Sequence, residues 1–147
     1  VLDSLILDVE KYLGYANTHH AVLVGVGHLG GALLAYPGFV AYGVEIVAAF
    51  DQSPALIGSR IAQKPILDVS CLSEWCLSHG IEIGILTVPA SAAQKACDAL
   101  VAGGVRGIWS FAPTHLRVPA GILVQSEDMA IPLAMLSNHL EQSYYNE

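Results

Sequence analysis

Basic residues are scarce. The 147-residue chain has six Lys and Arg against thirteen Asp and Glu, a net charge of −7. That sign excludes a domain that neutralises nucleic-acid phosphates by itself, and the few cations are scattered rather than gathered into a stripe. Charge of either sign is low, at 13%, while 54% of residues are hydrophobic. This composition suits a parallel sheet covered on both faces, with apolar surface left over for a partner subunit. No apolar run is long enough to cross a membrane, and none reads as a signal peptide. A cytoplasmic protein is expected. Cysteine is sparse as well. Cys71, Cys76 and Cys97 are odd in number and match no zinc spacing, so three buried thiols and no metal site are expected. Internal repeats and low-complexity segments are absent from the sequence.

The stretch HAVLVGVGHLGGALLAYPG, residues 20–38, organises the chain. Residues 21–26 form a short apolar run rich in β-branched side chains and read as a buried strand. Gly25, Gly27 and Gly30 follow in G-x-G-x-x-G spacing, and residues 29–36 read as a helix closed by Pro37 and Gly38. Strand, glycine turn and helix form the context a dinucleotide fingerprint requires. Gly25 permits the tight turn, Gly27 lets a pyrophosphate approach the backbone, and Gly30 lets helix and strand pack closely. The unpaired N–H groups and the dipole of the helix favour an anion there. Residues 44–50 read as a second strand, with Asp51 at its end, about twenty residues beyond Gly30, where an acid accepts ribose hydroxyls. A carboxylate at that place repels a 2′-phosphate and favours NAD over NADP. The plainer alternative is a simple tight turn with Asp51 as a strand-end residue.

The rest of the chain continues the alternation. Residues 2–13 carry a helical apolar stripe ended by Gly14. This leading helix either covers a sheet edge, forms a dimer contact or connects upstream. His19 and His20 sit before the first strand, as metal ligands or, more simply, as solvated loop residues. His28 either reaches the phosphates or is an exposed loop histidine. Tyr36 is either a core aromatic or a hydroxyl at the cofactor mouth. Residues 58–64 read as irregular or hairpin, and Ile66 and Leu67 as a weak third strand. Ser70 or Ser73 is the expected cap of a helix running to His79 and stopping at Gly80. Residues 81–88 are the fourth strand, ending in Thr87, Val88, Pro89 and Ala90. Ser91 is the expected cap of a helix over 92–102. Residues 105–109 and 122–125 are the fifth and sixth strands, and Ser110, Phe111, Ala112 and Pro113 follow the fifth. Residues 129–140 carry a broad apolar helical face that either folds back on the sheet or docks on another subunit. The pattern predicts an α/β fold with a doubly wound, mostly parallel sheet.

Four stretches together resemble the NAD(H)-binding domain of the Rex family of redox-sensing transcriptional repressors. They are GVGHLGGALLAYPGF (25–39), FDQSPALIG (50–58), TVPASAAQKACDALVAGGVRGIW (87–109) and FAPTHLRVP (111–119). The YPGF ending, the TVPA-x-x-AQ stretch and the FAP stretch are far more specific than the glycine fingerprint. The resemblance implies a single Rossmann-like domain over 1–147, with a leading helix (1–14), a sheet core (20–126) and a C-terminal helix (128–142) swapped between the subunits of a homodimer. It implies NADH and NAD+ as ligands and a response to their ratio. Gly25, Gly27, His28, Leu29 and Gly30 would line the pyrophosphate and Asp51 would hold the adenosine ribose. Thr87, Val88, Pro89 and Ala90 would flank the dinucleotide, with Phe111, Ala112 and Pro113 toward the nicotinamide. Tyr36 and Asp128 match residues of a redox-dependent hydrogen-bond network.

Such repressors reach DNA through an N-terminal winged helix, which these residues do not include. No direct nucleic-acid contact by this chain is expected, whether it is a piece of a repressor or a stand-alone sensor. A second departure is Ser110, where the family stretch usually carries asparagine; the shorter side chain puts redox discrimination in question. No catalytic constellation stands at the strand ends, so a non-enzymatic sensor is expected. The alternatives are a small NAD-dependent oxidoreductase, a CoA-binding domain and a module that only dimerises.

Overall fold

Ala21, Val22, Leu23 and Val24 are all 0–1% exposed, which requires a central strand covered on both faces. The computed structural model describes residues 4–8 and 18–127. Seven strands form one sheet: β1 (His19–Val24), β2 (Val44–Asp51), β3 (Arg60–Ile61), β4 (Lys64–Asp68), β5 (Ile83–Leu86), β6 (Gly107–Ser110) and β7 (Leu123–Ser126). Their order is β3-β4-β2-β1-β5-β6-β7, and every pairing is parallel except the β3–β4 hairpin. Besides the helical residues 4–8 and short 3-10 turns at Pro37–Tyr42 and Val69–Cys71, the helices described are α1 (His28–Ala35), α2 (Leu72–His79) and α3 (Ala90–Ala102).

The helices divide between the two faces. Leu34 of α1, with Leu5, Ile6 and Phe39, packs on Ala21, Leu23, Ile83 and Ile85. Leu72 and Cys76 of α2 and Ala93, Cys97 and Leu100 of α3 pack on Val22, Val24, Phe50 and Ile108. Neighbouring residues of β1 thus point to opposite faces, as strand geometry demands. A bulge in the β1–β2 register, where Ala21 pairs Ile46 but Val22 pairs Ala48, shifts the phase of β2. Phe50 thereby falls on the α2–α3 face, and Asp51 is next in the alternation.

After β4 the chain crosses back to β5 on the other side of β1. The order of connection therefore reverses between β1 and β5, which opens a crevice at their C-terminal ends. Among the described residues no helix is long and apolar enough to cross a membrane.

Several local expectations need correction. His19 is not a solvated loop residue. It opens β1, is fully buried, and its Nδ1 pairs with the Glu82 carboxylate, while its N–H donates to Gly43 O at 2.6 Å. The Glu82 carboxylate gives the buried imidazole a hydrogen-bonding partner at Nδ1. Cys71 is exposed, whereas Cys76 and Cys97 are buried; burial pushes both of the latter thiols up to about 11. Neither Ser70 nor Ser73 caps a helix through its hydroxyl. Asp68 accepts the Ser70 N–H at 2.9 Å, and Ser73 Oγ donates to Ala99 O at 2.8 Å. Pro89, not Ser91, precedes α3.

Residues 66–67 are part of a five-residue strand, Lys64–Asp68, extended by the two-residue β3. Ala62 (φ 49°) and Gln63 (φ 67°) make the left-handed turn between them, the backbone that tight hairpins require. The strands expected over 81–88 and 105–109 are four residues each, Ile83–Leu86 and Gly107–Ser110. Most of the leading helix and the whole segment 128–142, including Asp128, lie outside the described residues.

Candidate functional site

The crevice is built from the residues that follow β1, β2, β5 and β6. Gly25 leaves β1 with φ +101°. A Cβ there would lie 2.6 Å from Thr87 O and 2.7 Å from Val88 Cγ1, so both backbone and space require glycine. Gly30 is buried in α1, and a Cβ on it would lie 2.1 Å from Gly25 O. Gly27 differs: it is exposed, and a Cβ on it would meet nothing within 4 Å. The turn is thus jammed against the protein at Gly25 and Gly30 and open to solvent at Gly27.

α1 begins without a side-chain cap. Its first ladder bond runs from Gly31 N–H to Gly27 O at 2.9 Å, so the N–H groups of His28, Leu29 and Gly30 have no partner in that ladder. His28 and Leu29 are exposed beside them. This end of α1 is suited to receive an anion.

Asp51 reaches the same turn from β2. Its Oδ2 accepts the Val26 N–H at 2.7 Å and its Oδ1 accepts the Ser53 N–H at 2.8 Å. Each carboxylate oxygen keeps a further lone pair, so the anchored acid can still accept hydroxyls. Thr87 closes the turn from β5, with its hydroxyl donating to Gly25 O at 2.5 Å. Val88 is half-buried, while Pro89 and Ala90 are exposed at the start of α3.

At the end of β6, Phe111 N–H donates to Leu86 O at 2.9 Å. Ala112 is buried and Pro113 exposed. Ser110 is fully buried, and its Oγ accepts the Ala112 N–H at 3.2 Å. The serine therefore holds the FAP turn. Tyr36 is 52% exposed but joins Phe111 through an aromatic row. Its ring meets Phe39 edge-on at 5.0 Å, Phe39 meets Trp109 at 6.0 Å, and Trp109 meets Phe111 at 4.7 Å. Phe39 and Trp109 were not singled out as site residues by sequence reasoning, although the YPGF and GIW motifs contain them. The Trp109 Nε1 donor is buried without a partner among the described residues.

Gln94 is a third residue that sequence reasoning quoted only within a motif. Its amide takes the Arg117 N–H and gives to Arg117 O, both at 2.9 Å, and so fastens the loop after the FAP turn to α3. No group of three metal-ligating side chains converges among the described residues. A cavity of about 460 Å3 opens beside β7, with Arg117 and Ser126 in its wall; it shares no lining residue with the glycine turn.

Residues 16–114 match the family pattern described as CoA binding domain. The chain is 43% identical over 139 residues to the redox-sensing transcriptional repressor Rex of Bacteroides fragilis, covering 95% of this chain and 63% of that protein. The chain thus spans less than two thirds of the length of that relative. Among solved structures, RSP, a Rex-family repressor, in complex with beta-NADH superposes with a TM-score of 0.79 at 30% identity, over 97% of this chain and 69% of that one. RSP in complex with beta-NAD+ and operator DNA gives a TM-score of 0.80 at 30% identity, over 97% and 66%.

Proposed function

Because this chain belongs to the Rex family of redox-sensing transcriptional repressors, we propose that it is an NAD(H)-binding regulatory domain that reports the NADH/NAD+ ratio without catalysing a reaction. One observation carries this reading: Asp51 is anchored on the Val26 N–H, beside an exposed Gly27 and the first-turn N–H groups of α1, which have no side-chain cap among the described residues. A pyrophosphate needs the open glycine and the N–H groups, and an adenosine ribose needs the carboxylate.

In this reading Gly25, Gly27, His28, Leu29 and Gly30 line the pyrophosphate and Asp51 holds the ribose hydroxyls. Thr87, Val88, Pro89 and Ala90 flank the dinucleotide. Phe111, Ala112 and Pro113 bound the nicotinamide end, and Tyr36 and Asp128 serve the redox-dependent network. The chain acts as one domain over 1–147, with leading helix 1–14, sheet core 20–126 and dimerisation helix 128–142. It works as a cytoplasmic homodimer whose partner subunit receives that last helix. Operator DNA is contacted by a winged helix of the repressor rather than by this acidic domain.

The match to the CoA binding domain pattern favours one second reading, a CoA site on the same turn. Asp51 opposes it, because CoA carries a phosphate on its adenosine ribose. Competition decides between the two: NADH bound to the chain, followed by Trp quenching, resists excess CoA in our reading and is displaced by it in the other.

A further inference from the structure

Thr87 follows β5 with its hydroxyl on the carbonyls that close β1. The Oγ1 lies 2.5 Å from Gly25 O and 3.1 Å from Val24 O. It has one proton to give, and Val24 O already receives the Thr87 N–H at 2.9 Å. Gly25 O is therefore the acceptor that the hydroxyl serves, and among the described residues no other donor reaches that carbonyl. The same hydroxyl stands 2.9 Å from where a Cβ on Gly30 would be, and Gly25 O stands 2.1 Å from that point. Three groups from three elements thus converge: the carbonyl that ends β1, the hydroxyl that ends β5, and the first turn of α1.

We propose that Thr87 is a positioning residue whose hydroxyl fixes the Gly25 peptide, and through it the first turn of α1, for a pyrophosphate-bearing dinucleotide. The inference rests on the NAD(H) reading for its ligand, but not for its geometry. Without the hydroxyl, the part-buried Gly25 carbonyl loses the one donor that reaches it among the described residues, and the peptide rotates or shifts to find another. The Val26 and first-turn N–H groups move with it. The pyrophosphate is common to both redox forms, so NADH and NAD+ lose affinity together.

The test compares Thr87→Ser and Thr87→Val, which keep and remove the hydroxyl, by two measurements. In the first, NADH and NAD+ are each titrated into the full chain. Thr87→Val weakens both by about tenfold, the ratio between them stays within about twofold, and Thr87→Ser stays within about twofold of the parent. In the second, amide exchange is followed without ligand. Thr87→Val speeds exchange at Gly25, Val26 and Gly31, and Thr87→Ser does not. Equal losses in both variants, a loss confined to one redox form, or unchanged exchange in Thr87→Val overturns the proposal. A parent chain that binds neither dinucleotide overturns the NAD(H) reading instead, and the ligand-free exchange still decides whether the hydroxyl holds the turn.

Discussion

Asp51 and Val26 are joined across the mouth of the crevice, with the carboxylate at the end of β2 accepting the backbone N–H of the glycine turn after β1 at 2.7 Å. The acid proposed to select the ribose therefore also braces the loop proposed to hold the pyrophosphate. Asp51→Ala removes both supports. It should weaken NADH by about tenfold or more, the loss expected for a hydrogen bond to a charged group, and should narrow the preference for NADH over NADPH. Calorimetric titration with both dinucleotides checks this; an unchanged preference contradicts it.

Gly27 and Gly30 separate binding from folding. Gly30→Ala puts a methyl 2.1 Å from Gly25 O, and backbone must shift to accept it. Overpacking of this kind costs about 1–3 kcal/mol, or roughly 2–12 °C in Tm. Gly27→Ala meets no protein atom within 4 Å, so Tm should move little, while the methyl occupies the approach of the pyrophosphate and NADH affinity falls. Thermal melts and titrations on the two variants should give opposite orders of severity.

The β3–β4 turn stores avoidable strain. Gln63 holds φ 67°, and the Arg60 guanidinium donates to its backbone carbonyl rather than to its side chain. Gln63→Gly keeps that bond and relieves the left-handed backbone. A gain of about 0.5–1 kcal/mol is expected, read as a small rise in the urea midpoint.

The thiols should split into one and two. Cys71 is exposed and should react with maleimide in the native protein. Cys76 and Cys97, buried and raised to about 11, should react only after unfolding. Their raised values also set a pH dependence. Unfolded thiols ionise near their ordinary value while the folded ones stay protonated, so stability is retained below about pH 9 and lost as pH rises toward 11. Urea midpoints measured across that window should fall.

What the sequence revealed follows from how local each feature is. The glycine spacing and Asp51 at the end of a strand are matters of chain length, and the buried strands are written in short apolar runs. The glycine turn and Asp51 stand where they are expected, and each strand is present, although those expected over 81–88 and 105–109 are shorter or shifted. His19 could not be read correctly because its partner, Glu82, lies 63 residues away. The β3–β4 hairpin is one of the two readings open for residues 58–64, and the sequence leaves the choice undecided because Ala62 and Gln63 occupy positions where Asn and Gly are the usual signal. Ser70 and Ser73 looked like caps, yet Asp68 supplies the acceptor and Ser73 bonds across to α3. The aromatic row from Tyr36 to Phe111 depends on how α1 and β6 are brought together, which no stretch of sequence displays. The bulge that sets the phase of β2 leaves no mark in its composition.

Redox discrimination is the central claim, and the ratio of NADH to NAD+ affinity tests it most directly. The full chain is titrated with each form at one pH and salt concentration, read by quenching of Trp109 and Trp75. A redox-sensing domain binds NADH markedly more tightly than NAD+, and Ser110→Ala, which frees the Ala112 N–H that Ser110 Oγ now accepts, narrows the difference. Equal affinities for the two forms would contradict the account, leaving a dinucleotide-binding scaffold without a redox sense.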